Sequence, residues 1–162
     1  MGLFTRIKHW IHNPYTRSGR HTLLVEAAGR AHELEPGSGR ILLNLPGWDG
    51  HIDGYNRKYE TLARFLAERG LATVLRVGNH PLPGLGFEQS CVLLARRLIA
   101  FATEHGRALC GASEAPLDLM GFSAGASAFA AVASDSPRIE RLLLPAPSED
   151  AGEPDWRASR AR

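Results

Sequence analysis

The sequence predicts an α/β fold with a doubly wound, mostly parallel sheet and helices on both faces. Three observations predict it. Several short apolar runs lack polar alternation, which is typical of parallel strands buried on both faces. Amphipathic runs with helical spacing separate them. The repeated succession of strand and helix implies right-handed crossovers, which place helices on both faces of one sheet.

The individual elements are bounded by local signals. The run at residues 41–45 is apolar and stops at Pro46-Gly47. Gly70 and Gly106 stand where C-terminal helix caps belong. The predicted strands are 41–45, 72–77, 117–120 and 139–144, and the predicted helices are 56–69, 87–104 and 124–134.

The N-terminal residues 1–20 are predicted to form a basic arm, since they contain lysine and arginine but no acidic residue. Leu3, Ile7 and Trp10 recur at helical spacing, which predicts a short amphipathic helix. We expect this helix to pack on the domain rather than to lie on a membrane surface, the weaker alternative.

Residues 21–148 are predicted to form the domain itself. It begins with a β-hairpin of strands 21–26 and 30–34 joined by a turn at Gly29. Residues 149–162 are rich in proline, serine, arginine and acidic residues, so we expect a disordered tail.

Composition excludes several classes of protein. The chain has 162 residues, 44% of them hydrophobic and 22% charged, which fits one globular domain and not a disordered chain. A net charge of +2 gives no support for binding nucleic acid by bulk electrostatics. Two cysteines do not make a disulfide scaffold, and there is no apolar run long enough for a transmembrane helix. We expect a cytoplasmic protein.

One motif carries chemistry. Gly121-Phe122-Ser123-Ala124-Gly125 is a Gly-x-Ser-x-Gly pattern between a predicted strand and a predicted helix. This setting places the serine hydroxyl on a tight, strained turn, clear of the sheet. The two glycines let strand and helix approach closely, and the N–H of Ala124 points towards a developing oxyanion. Ser123 is therefore the candidate nucleophile.

From Arg40 to about Ser148 the chain resembles the N-terminal part of an α/β-hydrolase. The turn at residues 45–50 is similar to the His-Gly-x turn of that family, with Pro46 in place of the usual histidine. The resemblance implies that the N–H of Trp48 is the second oxyanion donor. It also implies a serine hydrolase acting on an ester, thioester or amide carbonyl of a small acyl substrate.

The base departs from the family pattern, in which the acid and then the histidine follow the nucleophile. All seven histidines precede Ser123. His51 and His80 lie in loops on the expected Ser123 side of the sheet and are the candidate bases, His51 being the nearer if the family's strand order holds. Asp150, after the last predicted strand, is a candidate acid; a solvated tail charge is the plainer interpretation.

Three interpretations of this departure stay open: a fragment that has lost its histidine, a short hydrolase with an unusual base, and a hydrolase-like module that binds or assembles without catalysis. An uncovered sheet edge would favour a homodimer. No residue spacing indicates a metal site or an organic cofactor.

Overall fold

The computed structural model describes residues 4–12, 20–28, 39–48, 50–80 and 84–145. Within these residues, six strands form one mixed sheet: β1 (Phe4–His12), β2 (Arg20–Ala28), β3 (Ile41–Leu45), β4 (Thr73–Val77), β5 (Leu117–Gly121) and β6 (Ile139–Leu143). Their order across the sheet is β1-β2-β4-β3-β5-β6. The strands β4, β3, β5 and β6 are parallel, whereas β2 runs antiparallel to both β1 and β4. The predicted mostly parallel sheet is confirmed.

Three α-helices cover the two faces of the sheet. They are α1 (Lys58–Glu68), which follows a 3-10 turn at Tyr55–Arg57, α2 (Phe87–Cys110) and α3 (Ala124–Ala131). One apolar cluster joins α2 and α3 to side chains such as Leu43 and Leu119. A second cluster joins α1 to the alternate side chains Leu42 and Met120 on the other face. The predicted double winding is therefore present, because each face of the parallel strands is packed against helices.

The N-terminal helix predicted from Leu3, Ile7 and Trp10 is wrong. Residues 4–12 form β1, which pairs with β2 in a continuous antiparallel register from Phe4↔Ala28 to His12↔Arg20. Aromatic and β-branched residues are frequent in this segment, and such residues favour strands. The short apolar spacing could not distinguish the two structures without knowledge of the distant partner.

The predicted hairpin pairs the strand at 21–26 with a strand at 30–34, and this pairing is wrong. The strand β2, which contains residues 21–26, pairs instead with β1 on one side and β4 on the other. The predicted strand at 30–34 and the predicted tail at 149–162 lie outside the described residues. The division of the chain into arm, domain and tail stays a prediction.

The helix α2 is one and a half turns longer than predicted. Gly106 lies inside it, and Gly111 ends it in the left-handed conformation with φ 78°. A Cβ on Gly106 would lie 3.0 Å from the carbonyl oxygen of Ala112, so this glycine serves close packing and not termination. Cys110 is the buried last residue of α2. Within the described ranges, no helix is long and apolar enough to cross a bilayer.

Candidate active site

Ser123 occupies a strained turn between β5 and α3. Its backbone has φ 50° and ψ −123°, a region that residues with a side chain rarely adopt. Its carbonyl oxygen accepts hydrogen bonds from the N–H groups of Ala126 at 2.8 Å and Ser127 at 3.1 Å, which begin the helix. Its own N–H points to the carbonyl oxygen of Pro145 at 3.4 Å. The side chain is exposed at the carboxyl end of the sheet.

The two glycines of the motif are sterically required. A Cβ on Gly121 would lie 2.4 Å from the carbonyl oxygen of Gly125. A Cβ on Gly125 would lie 2.3 Å from the carbonyl oxygen of Leu45 and 2.5 Å from that of Pro46. These contacts are with backbone atoms, which cannot move aside as a flexible side chain can. Strand and helix therefore meet at a distance that only glycine allows.

A second turn lies beside the serine. After β3 the chain turns at residues 47–50, closed by a hydrogen bond from the N–H of Gly50 to the carbonyl oxygen of Gly47 at 3.0 Å. A Cβ on Gly47 would be 3.1 Å from Cβ of Ser123 and 3.7 Å from its Oγ. Gly47 therefore lies next to the serine, where a side chain would crowd it, a position the sequence alone did not reveal. Trp48 follows it directly.

The two residues expected to donate to an oxyanion, Ala124 and Trp48, follow the adjacent strands β5 and β3. Ala124 is the first residue of α3, and the first N–H groups of a helix have no partner within the helix. The same helix end carries a partial positive charge. Trp48 approaches from the neighbouring strand β3, which pairs with β5 up to Leu45↔Gly121.

The candidate bases are at the same edge of the sheet. His51 is 70% exposed, and its Nδ1 accepts the N–H of Asp53 at 3.3 Å and lies 3.7 Å from that carboxylate. The ring nitrogen Nδ1 is therefore engaged by a residue of its own loop. His80 is exposed, and its Nε2 would lie 3.0 Å from a Cβ on Gly78.

Neither imidazole is hydrogen-bonded to the serine. Within the described part of the chain, no side chain hydrogen-bonds to Oγ of Ser123. Asp150, the candidate acid, lies outside the described residues. Among the residues that are described, no three His, Cys, Asp or Glu side chains lie close enough together to hold a metal ion.

A buried cation anchors the loop that carries His51. Arg76 of β4 is fully buried, and its Nη1 donates to the carbonyl oxygen of Ile52 at 2.7 Å and to Oδ1 of Asp53 at 2.8 Å. A buried guanidinium needs such partners, because a charge without them is very unfavourable in an apolar interior. The loop after the second turn is therefore held to the sheet.

Two aromatic groups flank the site. The indole of Trp48 is 63% exposed and packs on the ring of Phe87 with centroids 3.7 Å apart. Phe122 packs on Tyr59 with centroids 5.0 Å apart, and Nζ of Lys58 lies 4.5 Å from the Phe122 ring centroid. The partners Phe87 and Tyr59 are distant from these two residues in sequence, and no motif indicates them.

Comparison with solved structures finds esterases. An arylesterase superposes with a TM-score of 0.55 at 16% identity, over 86% of this chain and 42% of that chain. An esterase from Pyrococcus furiosus superposes with a TM-score of 0.59 at 15% identity, over 84% of this chain and 49% of that chain. Carboxyl esterase 2 from the mycorrhizal fungus Tuber melanosporum superposes with a TM-score of 0.53 at 20% identity, over 80% of this chain and 40% of that chain.

The chain therefore has the α/β-hydrolase fold in partial form, as the resemblance implied. It spans less than half the length of these three esterases. At these identities the likeness concerns the fold alone. Protein-family models and curated proteins give no match to the sequence.

Proposed function

We propose that the chain is a serine hydrolase of the α/β-hydrolase type that cleaves an ester, thioester or amide carbonyl through Ser123. The observation that carries the proposal is the strained conformation of Ser123, at φ 50° and ψ −123° between β5 and α3. Strain of this kind is unfavourable by about 1–3 kcal/mol and is typical of functional sites. It lifts one hydroxyl beside the N-terminus of a helix, where a nucleophile is useful.

In the proposed reaction, Oγ of Ser123 attacks the carbonyl carbon and loses its proton to a base. The N–H groups of Ala124 and Trp48 bind the oxyanion of the tetrahedral intermediate. The leaving group departs with a proton from the base, and an acyl-enzyme forms. Water then attacks the acyl-enzyme and releases the acid and the free serine.

The base is proposed to come from the carboxyl edge of the sheet. His51 is the first candidate, and the N–H of Asp53 lies 3.3 Å from its Nδ1. His80 is the second candidate, and Asp150 is the candidate acid that would orient either ring. Single variants His51→Gln and His80→Gln distinguish the two bases, because only loss of the true base lowers kcat by orders of magnitude.

The proposed substrate has an apolar acyl or leaving group of small-molecule size. The exposed indole of Trp48, supported by Phe87, offers an aromatic surface next to the second turn. Burying apolar substrate area against it favours binding by about 25 cal/mol per Å². Trp48→Ala is therefore expected to raise KM more for an octanoate ester than for an acetate ester.

The test is turnover of p-nitrophenyl esters of increasing chain length, with a pre-steady-state burst. Wild type is expected to release one equivalent of p-nitrophenol rapidly and then turn over slowly, because an acyl-enzyme accumulates. Ser123→Ala should lack both phases. Ser134→Ala removes an exposed serine on the loop after α3 and is the matched control. A burst that survives Ser123→Ala would refute the proposal.

One alternative has its own supporting observation. Leu142 and Leu143 are 40% and 47% exposed on β6, the last strand of the described sheet, where a second copy or another partner could pair. A hydrolase-like module that binds or assembles, including a homodimer through this edge, would use these residues. It predicts no burst together with a dimer that Leu142→Lys dissociates.

A further inference from the structure

A buried asparagine links the two ends of the turn that carries Trp48. Asn79 follows β4 and is 1% exposed. Its side-chain Nδ2 donates to the carbonyl oxygen of Pro46 at 2.9 Å. Its backbone N–H donates to the carbonyl oxygen of Gly50 at 2.9 Å. One residue thus binds the chain on both sides of Trp48, across 33 residues of sequence.

The side-chain amide of Asn79 also contacts a buried thiol. Sγ of Cys91 on α2 lies 3.4 Å from Oδ1 and 3.3 Å from Nδ2. Since Nδ2 must face the carbonyl of Pro46, which can only accept, Oδ1 is the atom left to accept from the thiol. Burial raises the pKa of Cys91, so the thiol keeps the proton that it donates. The helix α2 therefore takes part in orienting the amide.

The identity of residue 46 explains why the turn needs an external partner. Proline has no N–H and no polar side chain, so its carbonyl oxygen is the only polar group by which residue 46 can be held. In this chain a donor to that carbonyl oxygen comes from Asn79.

We propose that Asn79 is a positioning residue for the oxyanion site, holding the turn at residues 46–50 so that the N–H of Trp48 faces the reacting carbonyl. The inference rests on the proposed function, because a positioned N–H matters only if an oxyanion forms. Asn79 does not touch the substrate and acts through the turn. Preorganised donors stabilise the transition state more than the ground state, so the effect belongs in kcat and not in KM.

The test compares two variants with a matched control. Asn79→Leu removes the Nδ2 donor while keeping the branched shape of the side chain, and Asn79→Asp replaces this donor by a carboxyl oxygen. Thr73→Val is the control, because Oγ1 of Thr73, at the start of β4, donates to the carbonyl oxygen of Leu109 at 3.1 Å and Thr73 is likewise buried. Cys91→Ser keeps a donor for Oδ1 and serves as the conservative variant.

Two readouts are measured on each protein. The first is amide hydrogen exchange of residues 47–50, where the N–H of Gly50 is hydrogen-bonded to Gly47, and it reports on the turn without any reaction. The second is steady-state turnover of p-nitrophenyl acetate. We expect both Asn79 variants to exchange this segment at least tenfold faster and to lose about 10- to 100-fold in kcat with KM within twofold. Thr73→Val and Cys91→Ser should stay within threefold of wild type in both readouts.

The outcomes separate this inference from the proposed function. Unchanged exchange and unchanged kcat in the Asn79 variants overturn it. Equal losses in Thr73→Val overturn it as well, because they would show only a general structural effect. If wild type turns over no ester, the proposed function fails and the oxyanion role fails with it, while the exchange data alone show whether Asn79 orders the turn. Should Asn79→Leu not fold, the more conservative Asn79→Asp gives the same comparison.

Discussion

Replacing Ser123 by glycine should stabilise the protein while abolishing its proposed activity. The backbone of Ser123 at φ 50° and ψ −123° is unfavourable by about 1–3 kcal/mol for a residue with a Cβ, and glycine adopts it freely. Against this, glycine adds conformational freedom to the unfolded chain, which costs about 0.5–1 kcal/mol. The exposed hydroxymethyl group contributes little packing. The net expectation is a stabilisation of about 1 kcal/mol.

For a chain of this length, about 1 kcal/mol corresponds to a rise in Tm of roughly 2–4 °C. Urea denaturation followed by circular dichroism measures the change directly. Ser123→Ala keeps the Cβ and so should not show the gain. Ser134→Gly, at a residue whose φ is not positive, should instead lose about 0.5–1 kcal/mol. A Ser123→Gly protein less stable than wild type by 1 kcal/mol or more would refute the strained turn.

Three further predictions concern the surroundings of the site. Gly125→Ala should lose about 3 kcal/mol of unfolding free energy in urea, because the new methyl would lie 2.3 Å from the carbonyl oxygen of Leu45; a loss below 1 kcal/mol contradicts that contact. Asp53→Asn should lose about 2 kcal/mol, since it removes the carboxylate that lies 2.8 Å from Nη1 of the buried Arg76, and an unchanged Tm in thermal denaturation would contradict this contribution. Burial raises the pKa of the Cys110 thiol above its ordinary 9.0. The contribution of this thiol to the free energy of unfolding is therefore fully present below pH 9 and is lost as pH rises through the folded-state pKa. The fall in Tm between pH 8 and 11 should therefore be smaller in Cys110→Ala, and an identical fall would contradict this.

The parallel part of the fold was predictable because its signals are local. The strand at residues 41–45 was predicted with the bounds that β3 has, since an uninterrupted apolar run ends at Pro46-Gly47. The helix at 87 was predicted at its correct start but not at its end. Gly106 was interpreted as a cap, whereas its role is to let α2 approach the loop at Ala112, a contact that only the folded chain contains.

The N-terminal strands show the opposite case. Residues 4–12 form a strand because they pair with β2. The strand β2 in turn pairs with β4, which lies about fifty residues further along the chain. The local pattern of Leu3, Ile7 and Trp10 carries no information on either partner. The aromatic and β-branched residues of the segment favour a strand, whereas the helical spacing of its apolar residues favours a helix.

The candidate site divides in the same way. The Gly-x-Ser-x-Gly motif is one continuous stretch of sequence, and the turn at Trp48 is another. Each can therefore be recognised from the sequence alone. Other features of the site join loops that follow different strands. These are the proximity of Gly47 to Ser123 and the hydrogen bonds from Asn79 to Pro46 and Gly50. Such contacts follow from strand order, which places β3 between β4 and β5, and not from any motif.

The most direct test of the central proposal is covalent labelling with a fluorophosphonate, read by intact mass and peptide mapping. Such a probe reacts with an activated serine and hardly with an ordinary one. We expect a single adduct on Ser123 of wild type, none on Ser123→Ala, and an unchanged adduct on Ser134→Ala. Absence of an adduct on folded, monodisperse wild type, or an adduct that persists in Ser123→Ala, would contradict an activated serine at this turn.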